Sequence, residues 1–107
     1  NTSKGAVTLM SKAVGVEFAT KRTPIRVNSL HPGFVQTPLL DTGMNRMVAE
    51  GLAEKPEDLK GMIAQATPMG RIAETSEIAS GAWFLASDDS SYMTGAELVI
   101  DGGWTAQ

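Results

Sequence analysis

The chain has 107 residues, 42% hydrophobic and 20% charged, with a formal net charge of -3. That leaves room for one modest core, and the acidic balance argues against a nucleic-acid partner held by charge. It has no cysteine, which excludes disulfides and thiol chemistry, and it shows neither a membrane-length apolar run nor a secretory leader pattern, so a soluble cytoplasmic protein with no membrane partner is expected.

Taken in chain order, residues 2–22 read as a helix. Val7, Met10, Val14 and Phe18 recur at helical spacing as its apolar face, and Lys21 and Arg22 suit the negative end of its dipole before Pro24 stops it. Ile25 to Leu30 reads as a short strand with alternating apolar positions, and His31-Pro32-Gly33 punctuates it. From Pro38 to Pro68 the pattern loosens. Met44, Met47, Val48 and Leu52 suggest one short amphipathic helix, and Leu59, Met62 and Ile63 a second, with Pro56 and Gly61 keeping both short. Thr75-Ser76 offers a cap to a further helix whose buried stripe is Ile78, Ala82, Leu85 and Ala86, ending at Ser87-Asp88. Ala96 to Ile100 is a last strand, closed by Asp101-Gly102-Gly103.

Helix and strand alternating at this spacing predict an α/β fold with a parallel sheet. Two strands are too few for such a sheet to stand alone, because its edges and faces stay uncovered. The remaining strands are expected from an upstream half of the same domain, and a second copy of the chain is another way to cover the surface.

Four stretches then carry a family resemblance. Asn1-Thr2-Ser3-Lys4-Gly5-Ala6-Val7 resembles the run that follows the active-site tyrosine of short-chain dehydrogenases/reductases, with Lys4 at the lysine of Tyr-x-x-x-Lys. Ile25-Arg26-Val27-Asn28 with Pro32-Gly33-x-x-x-Thr37 is similar to the family's sixth strand and the loop after it. Pro68-Met69-Gly70-Arg71 with Glu74 and Glu77-Ile78-Ala79 is similar to the start of its last helix. Phe84-Leu85-Ala86-Ser87-Asp88, Ser91-Tyr92-x-Thr94-Gly95 and Asp101-Gly102-Gly103 are similar to its carboxyl end. Each is weak alone; their order and spacing are not. Thr75 stands where members commonly carry Pro, and is expected to cap the helix instead. The wording around His31 to Leu39 and the ending Gly102 to Gln107 look most like bacterial secondary and cyclic alcohol dehydrogenases.

The resemblance implies the carboxyl-terminal portion of a Rossmann-like doubly wound parallel sheet. Its parts would be two strands, two long helices and a small helical substrate lobe at 38–68. Residues 1–107 would then be one part of a single NAD(P)-binding domain. The family tyrosine would fall one position before Asn1, so the amino-terminal half is expected to be missing and this chain alone to be inactive.

Resemblance also implies hydride transfer between NAD or NADP and an alcohol or carbonyl carbon. A lysine four residues after the tyrosine stands on the same helix face. At an effective dielectric near 20, its ammonium about 4 Å from the phenolate contributes roughly 4 kcal/mol, enough to lower the phenol by about 3 pKa units before desolvation. Lys4 is thereby implied as catalytic and as a ligand of the nicotinamide ribose. Pro32 and Gly33 would let the backbone turn close to the cofactor's ring, and its carboxamide would meet backbone near Gly33 and Val35 and the hydroxyl of Thr37, where ligands bind beyond strand ends. His31 reads as a hydrogen-bonded packing residue.

Phe34, Leu39 and Met44 fall in the family's substrate-binding region, together with Leu40, Met47, Leu52, Met62 and Ile63. The adaptable methionines suit an apolar ketone or secondary alcohol. No metal ligand set is expected. Small residues Gly5, Ala6, Ala13 and Gly15 let another helix approach the first one, and Trp104 is expected near a second interface. The family precedent is a homo-oligomer, a tetramer or dimer. The competing reading is an autonomous, non-enzymatic oligomerisation module that keeps the fold's interaction surfaces.

Overall fold

A computed structural model describes residues 2–107; Asn1, where the first motif opens, lies outside the described residues. The elements are α1 (Thr2–Thr20), β1 (Ser29–Pro32), α2 (Pro38–Ala49), α3 (Pro56–Ala66), α4 (Thr75–Ala86) and β2 (Glu97–Ile100), with two 3-10 turns at Asp88–Ser90 and Trp104–Ala106. The strands pair in parallel, as the α/β reading requires: Ser29 N–H donates to Ala96 O and Gly33 N–H to Ile100 O, each at 2.9 Å. Two compact units result, one holding the chain up to His31 with Ser80–Val99, the other Pro32–Ala79 with Ile100–Gln107.

In the first unit, α1 ends two residues before the expected Arg22. Arg22 takes a left-handed φ of 60°. The Arg22 N–H donates to Ala19 O and the Thr23 N–H to Phe18 O, at 3.1 and 2.9 Å, which is the paired closure of a Schellman stop. The buried face of α1 also differs from the apolar stripe. Ser11 and Gly15 are buried and Val14 and Phe18 half-buried, while Val7 and Met10 are exposed. Gly15 shows why: a Cβ there would lie 2.9 Å from Thr94 Oγ1 and 3.0 Å from Gly95 N. The turn before β2 sits so close that only small side chains fit at the contact. Gly15 therefore admits a turn of its own unit and not a second helix.

The expected strand at 25–30 starts only at Ser29. Opposite its first half lies that same turn, with Gly95 at φ 69°. Side chains complete the pairing there: Thr94 Oγ1 accepts Val27 N–H at 3.2 Å, and Asn28 Oδ1 accepts Ala96 N–H at 3.0 Å. Arg26 donates to Leu85 O, Ser87 O and Met93 O at 2.9–3.1 Å. It thus caps the carbonyl end of α4 with a cation, where the helix dipole favours one.

Helix α4 is capped differently from expectation. Thr75 is already its first residue, and the preceding Glu74 N–H is taken at 2.8 Å by Glu77 reaching back. This is the carboxylate half of a capping box. Its stripe is rotated as well: Gly81 is buried, Ile78 and Leu85 are half-buried, and Ala82 and Ala86 are exposed.

The second unit contains the lobe of α2 and α3. Pro56 starts α3 instead of interrupting it, and Gly61 lies within the helix. Leu52 falls in the turn after α2 and is exposed. Met44, 5% exposed, is the only buried hydrophobic side chain among the described residues.

Candidate functional site

The loop from Pro32 to Thr37 leaves the end of β1 within the second unit. Gly33 stands against the end of β2, where a Cβ would lie 2.8 Å from Asp101 Cα. Its missing side chain thus admits a neighbouring strand's backbone, in addition to any ring that approaches from outside. Two residues on, Val35 bridges in parallel to Ala73. The bonds of that bridge belong to its neighbours: Ala73 N–H donates to Phe34 O at 3.0 Å and Gln36 N–H to Ala73 O at 2.9 Å. In a parallel pair the bridged residue's own N–H and C=O point the opposite way. Val35 therefore presents one donor and one acceptor with no hydrogen-bond partner among the described residues.

Thr37 closes the loop as the N-cap of α2. Its Oγ1 accepts Leu40 N–H at 3.2 Å, and Pro38 fills the first helical position. A capping hydroxyl spends a lone pair and keeps its proton for donation. Phe34 meets Trp104 edge-on, with ring centroids 5.1 Å apart at 70°. Pro32, Gly33, Phe34, Asp101, Trp104 and Thr105 line a cavity of about 250 Å³. Among the titratable residues here, Asp101 is engaged: the Thr105 hydroxyl (2.7 Å) first, then backbone N–H groups of the terminal turn, hold its carboxyl below the usual range. It folds that turn and makes a poor proton acceptor.

The predicted substrate residues divide by exposure. Leu39 is 82% exposed and Phe34 is exposed, so both offer apolar surface, whereas Met44 is buried and shapes the lobe from within. Lys4 lies in the first unit, on the exposed first turn of α1, where its carbonyl accepts the Thr8 hydroxyl at 3.3 Å. His31 Nε2 is 2.7 Å from Ser29 Oγ and 3.8 Å from Glu97, which accounts for it as a hydrogen-bonded side chain.

Sequence reasoning named the Val35 backbone without the direction its peptide faces, and it missed the Phe34–Trp104 contact and the Asp101 turn. Only the last left a signal, in Asp101-Gly102-Gly103. The others depend on partners far apart in the chain. Among the described residues no group of three or more His, Cys, Asp or Glu is placed to hold a metal, and no helix is long and apolar enough to cross a membrane.

The family model described as enoyl-(acyl carrier protein) reductase matches residues 1–105. The chain is 46% identical, over all its length, to the NADP-dependent (R)-specific alcohol dehydrogenase of Lentilactobacillus kefiri, spanning 38% of that enzyme. A short chain dehydrogenase family protein from Francisella tularensis subsp. tularensis SCHU S4 superposes with a TM-score of 0.91 at 36% identity, over 98% of this chain and 42% of that one. A C-terminal deletion mutant of Thermoplasma acidophilum aldohexose dehydrogenase follows at 0.86 and 31% identity, over 99% of this chain and 44% of that one. The chain thus spans roughly two fifths of the length of these relatives.

Proposed function

Because the chain belongs to the short-chain dehydrogenase/reductase family, we propose that the protein carrying it is an NAD(P)-dependent oxidoreductase acting on an apolar secondary alcohol or ketone. Residues 1–107 are read as the carboxyl-terminal part of its single nucleotide-binding domain, with 38–68 as the substrate lobe. The observation that carries this reading is the Val35 peptide. A donor and an acceptor on one residue, facing away from their own sheet, complement the C=O and NH2 of a carboxamide, and the proton left on Thr37 adds a third polar contact. Pro32 and Gly33 line the adjoining cavity without bulk.

When bound, the nicotinamide supplies or accepts the hydride. The chain's own residues orient it: Val35 and Thr37 fix the carboxamide and so the ring face presented. By the family resemblance, Lys4 is read as the ligand of the ribose hydroxyls and as the cation that lowers the pKa of the catalytic phenol. Phe34 and Leu39 receive the apolar part of the substrate and exclude water, with Met44 shaping the lobe. The name of the Lentilactobacillus relative favours NADP and an alcohol substrate, while that of the Thermoplasma enzyme makes a sugar the main competitor.

The test is calorimetric titration of the longest natural chain carrying these residues with NADH and NADPH, followed by turnover on cyclic alcohols, steroids, acyl-thioesters and aldohexoses. Micromolar dinucleotide binding and preference for apolar alcohols are expected. Preference for sugars would overturn the substrate assignment. A specific observation favours a second reading: Val7, Leu9, Met10 and Val16 of α1 are all exposed, which suits a homo-oligomer and also a non-enzymatic assembly module. Stable oligomers that bind no dinucleotide would establish the module.

A further inference from the structure

Asp41, in the first turn of α2, takes hydrogen bonds from two separate elements of the second unit. From the cofactor loop, Gln36 Nε2 donates to both its oxygens, at 3.0 and 3.2 Å. From α3, the Lys60 ammonium donates to Oδ1 as an ion pair. The loop side is rigidly joined to the proposed carboxamide contacts. Gln36 lies between Val35 and Thr37, its N–H bound to Ala73 O at 2.9 Å, and Asp41 N–H returns to Thr37 O at 3.1 Å. One carboxylate therefore ties α3 to Gln36, the residue between Val35 and Thr37, while the Asp41 backbone N–H holds Thr37 O. The Lys60 hydrogen bond, followed by that of Gln36, holds the Asp41 carboxyl below its ordinary range, so it is ionised at neutral pH.

We propose that Asp41 is a positioning residue that transmits the placement of α3, through Lys60 and Gln36, to the loop presenting Val35 and Thr37. Lys60 fixes the rotamer of a single acceptor, and that rotamer decides where the Gln36 amide, and with it the loop, comes to rest. α3 also carries the exposed Met62. A substrate that shifts α3 therefore biases the cofactor loop, and a bound dinucleotide biases α3 equally, because coupling between sites is reciprocal. The functional consequence rests on the reading of that loop as a cofactor site; the mechanical coupling does not.

The experiment follows amide hydrogen exchange at Gln36, Leu40 and Asp41 in the longest natural chain, for wild type, Lys60→Met, Lys60→Arg, Asp41→Asn and the double variant Lys60→Met/Asp41→Asn. Lys60→Met is expected to speed exchange at Gln36 and Leu40 by about three- to tenfold. Lys60→Arg should restore it, and Lys60→Met should add little once Asp41 is Asn. If Lys60→Met unfolds α3, Lys60→Gln read at the same amides replaces it. Faster exchange confined to residues 56–66, or additive effects in the double variant, would overturn the relay. Dinucleotide affinity measured on the same variants separates the two ideas. Loop amides that loosen with no dinucleotide binding in any variant keep the relay and reject the cofactor site.

Discussion

Helices α1 and α2 both carry apolar residues at helical spacing, yet their own units use them in opposite ways. On α2, Met44 is buried, Thr37 caps the first turn, and Asp41 ties the helix to α3 and the preceding loop. On α1, Leu9 is 70% and Met10 60% exposed, while the buried positions are Ser11 and Gly15. The difference teaches that an apolar stripe marks a helix that packs somewhere without naming its partner. The α2–α3 lobe encloses Met44 while Leu39 and Met62 stay exposed; α1 buries only small residues, half-buries Val14 and Phe18, and turns Val7, Leu9, Met10 and Val16 outward.

The largest effect that would sharpen this contrast is at the methionines. Met44→Ala should cost about 2–5 kcal/mol in urea unfolding, the range for a truncated core side chain. Met10→Ala should stay within about 0.5 kcal/mol, as exposed substitutions do. A large, concentration-dependent cost at Met10 would instead reveal a subunit covering α1.

Glycines of α1 supply the next test. Gly15→Ala should destabilise by about 1–3 kcal/mol, because the added methyl meets the Thr94–Gly95 turn. Gly5→Ala has open space around it and should stabilise by roughly 0.5–1 kcal/mol through helix propensity alone. Equal effects at the two positions, measured by thermal unfolding, would dissolve the distinction between the contact face and the outward one.

On the lobe, Thr37→Ala should cost about 1 kcal/mol by removing the α2 cap, and Thr37→Ser should recover most of it. If Thr37 also meets the cofactor, dinucleotide affinity should fall in the Ala variant and return in the Ser variant. Loss of stability without loss of affinity would leave the residue a cap and nothing more.

The smallest effect concerns acid. Glu77 is lowered to about 2, first by its hydrogen bonds from Arg71 (2.6 and 2.8 Å) and then by the Glu74 N–H. A carboxyl whose folded pKa is depressed contributes stability above its ordinary value near 4.5. That contribution fades as pH falls through about 2. Carboxyl NMR should show a Glu77 midpoint near 2, moving upward in Arg71→Ala. An unmoved midpoint would detach the α4 cap from Arg71.

Much of the fold was legible because helices and turns are written locally. Pro24 follows α1, and the apolar spacing within 2–22, 38–68 and 75–87 announced each α-helix among the described residues, although Pro56, read as a break, starts α3 instead. Errors arose where distant chain supplied the deciding contact. Val7 and Met10 looked buried because periodicity cannot report that α1 meets its unit on the face of Ser11 and Gly15, where the Thr94–Gly95 turn leaves Gly15 no room for a side chain. The strand at 25–28 gave way to side-chain bonding because its partner there is a turn. Gly61 failed to break α3, since its cost is offset within an otherwise well-formed helix. In the site, the motif from Pro32 to Thr37 was visible, whereas the direction of the Val35 peptide and the Gln36–Asp41–Lys60 tie were not.

Taken alone, the sequence determined the α/β class, the helix positions and the family, because apolar spacing, capping residues and ordered short motifs are properties of neighbouring residues. The tertiary structure alone decided which face of α1 is covered, which peptide faces out of the Ala73 bridge, and which side chains hold the loop. Apart from the Gln36–Asp41 bond, those outcomes depend on steric and hydrogen-bonding partners distant in the chain, and no local pattern encodes where such partners will stand.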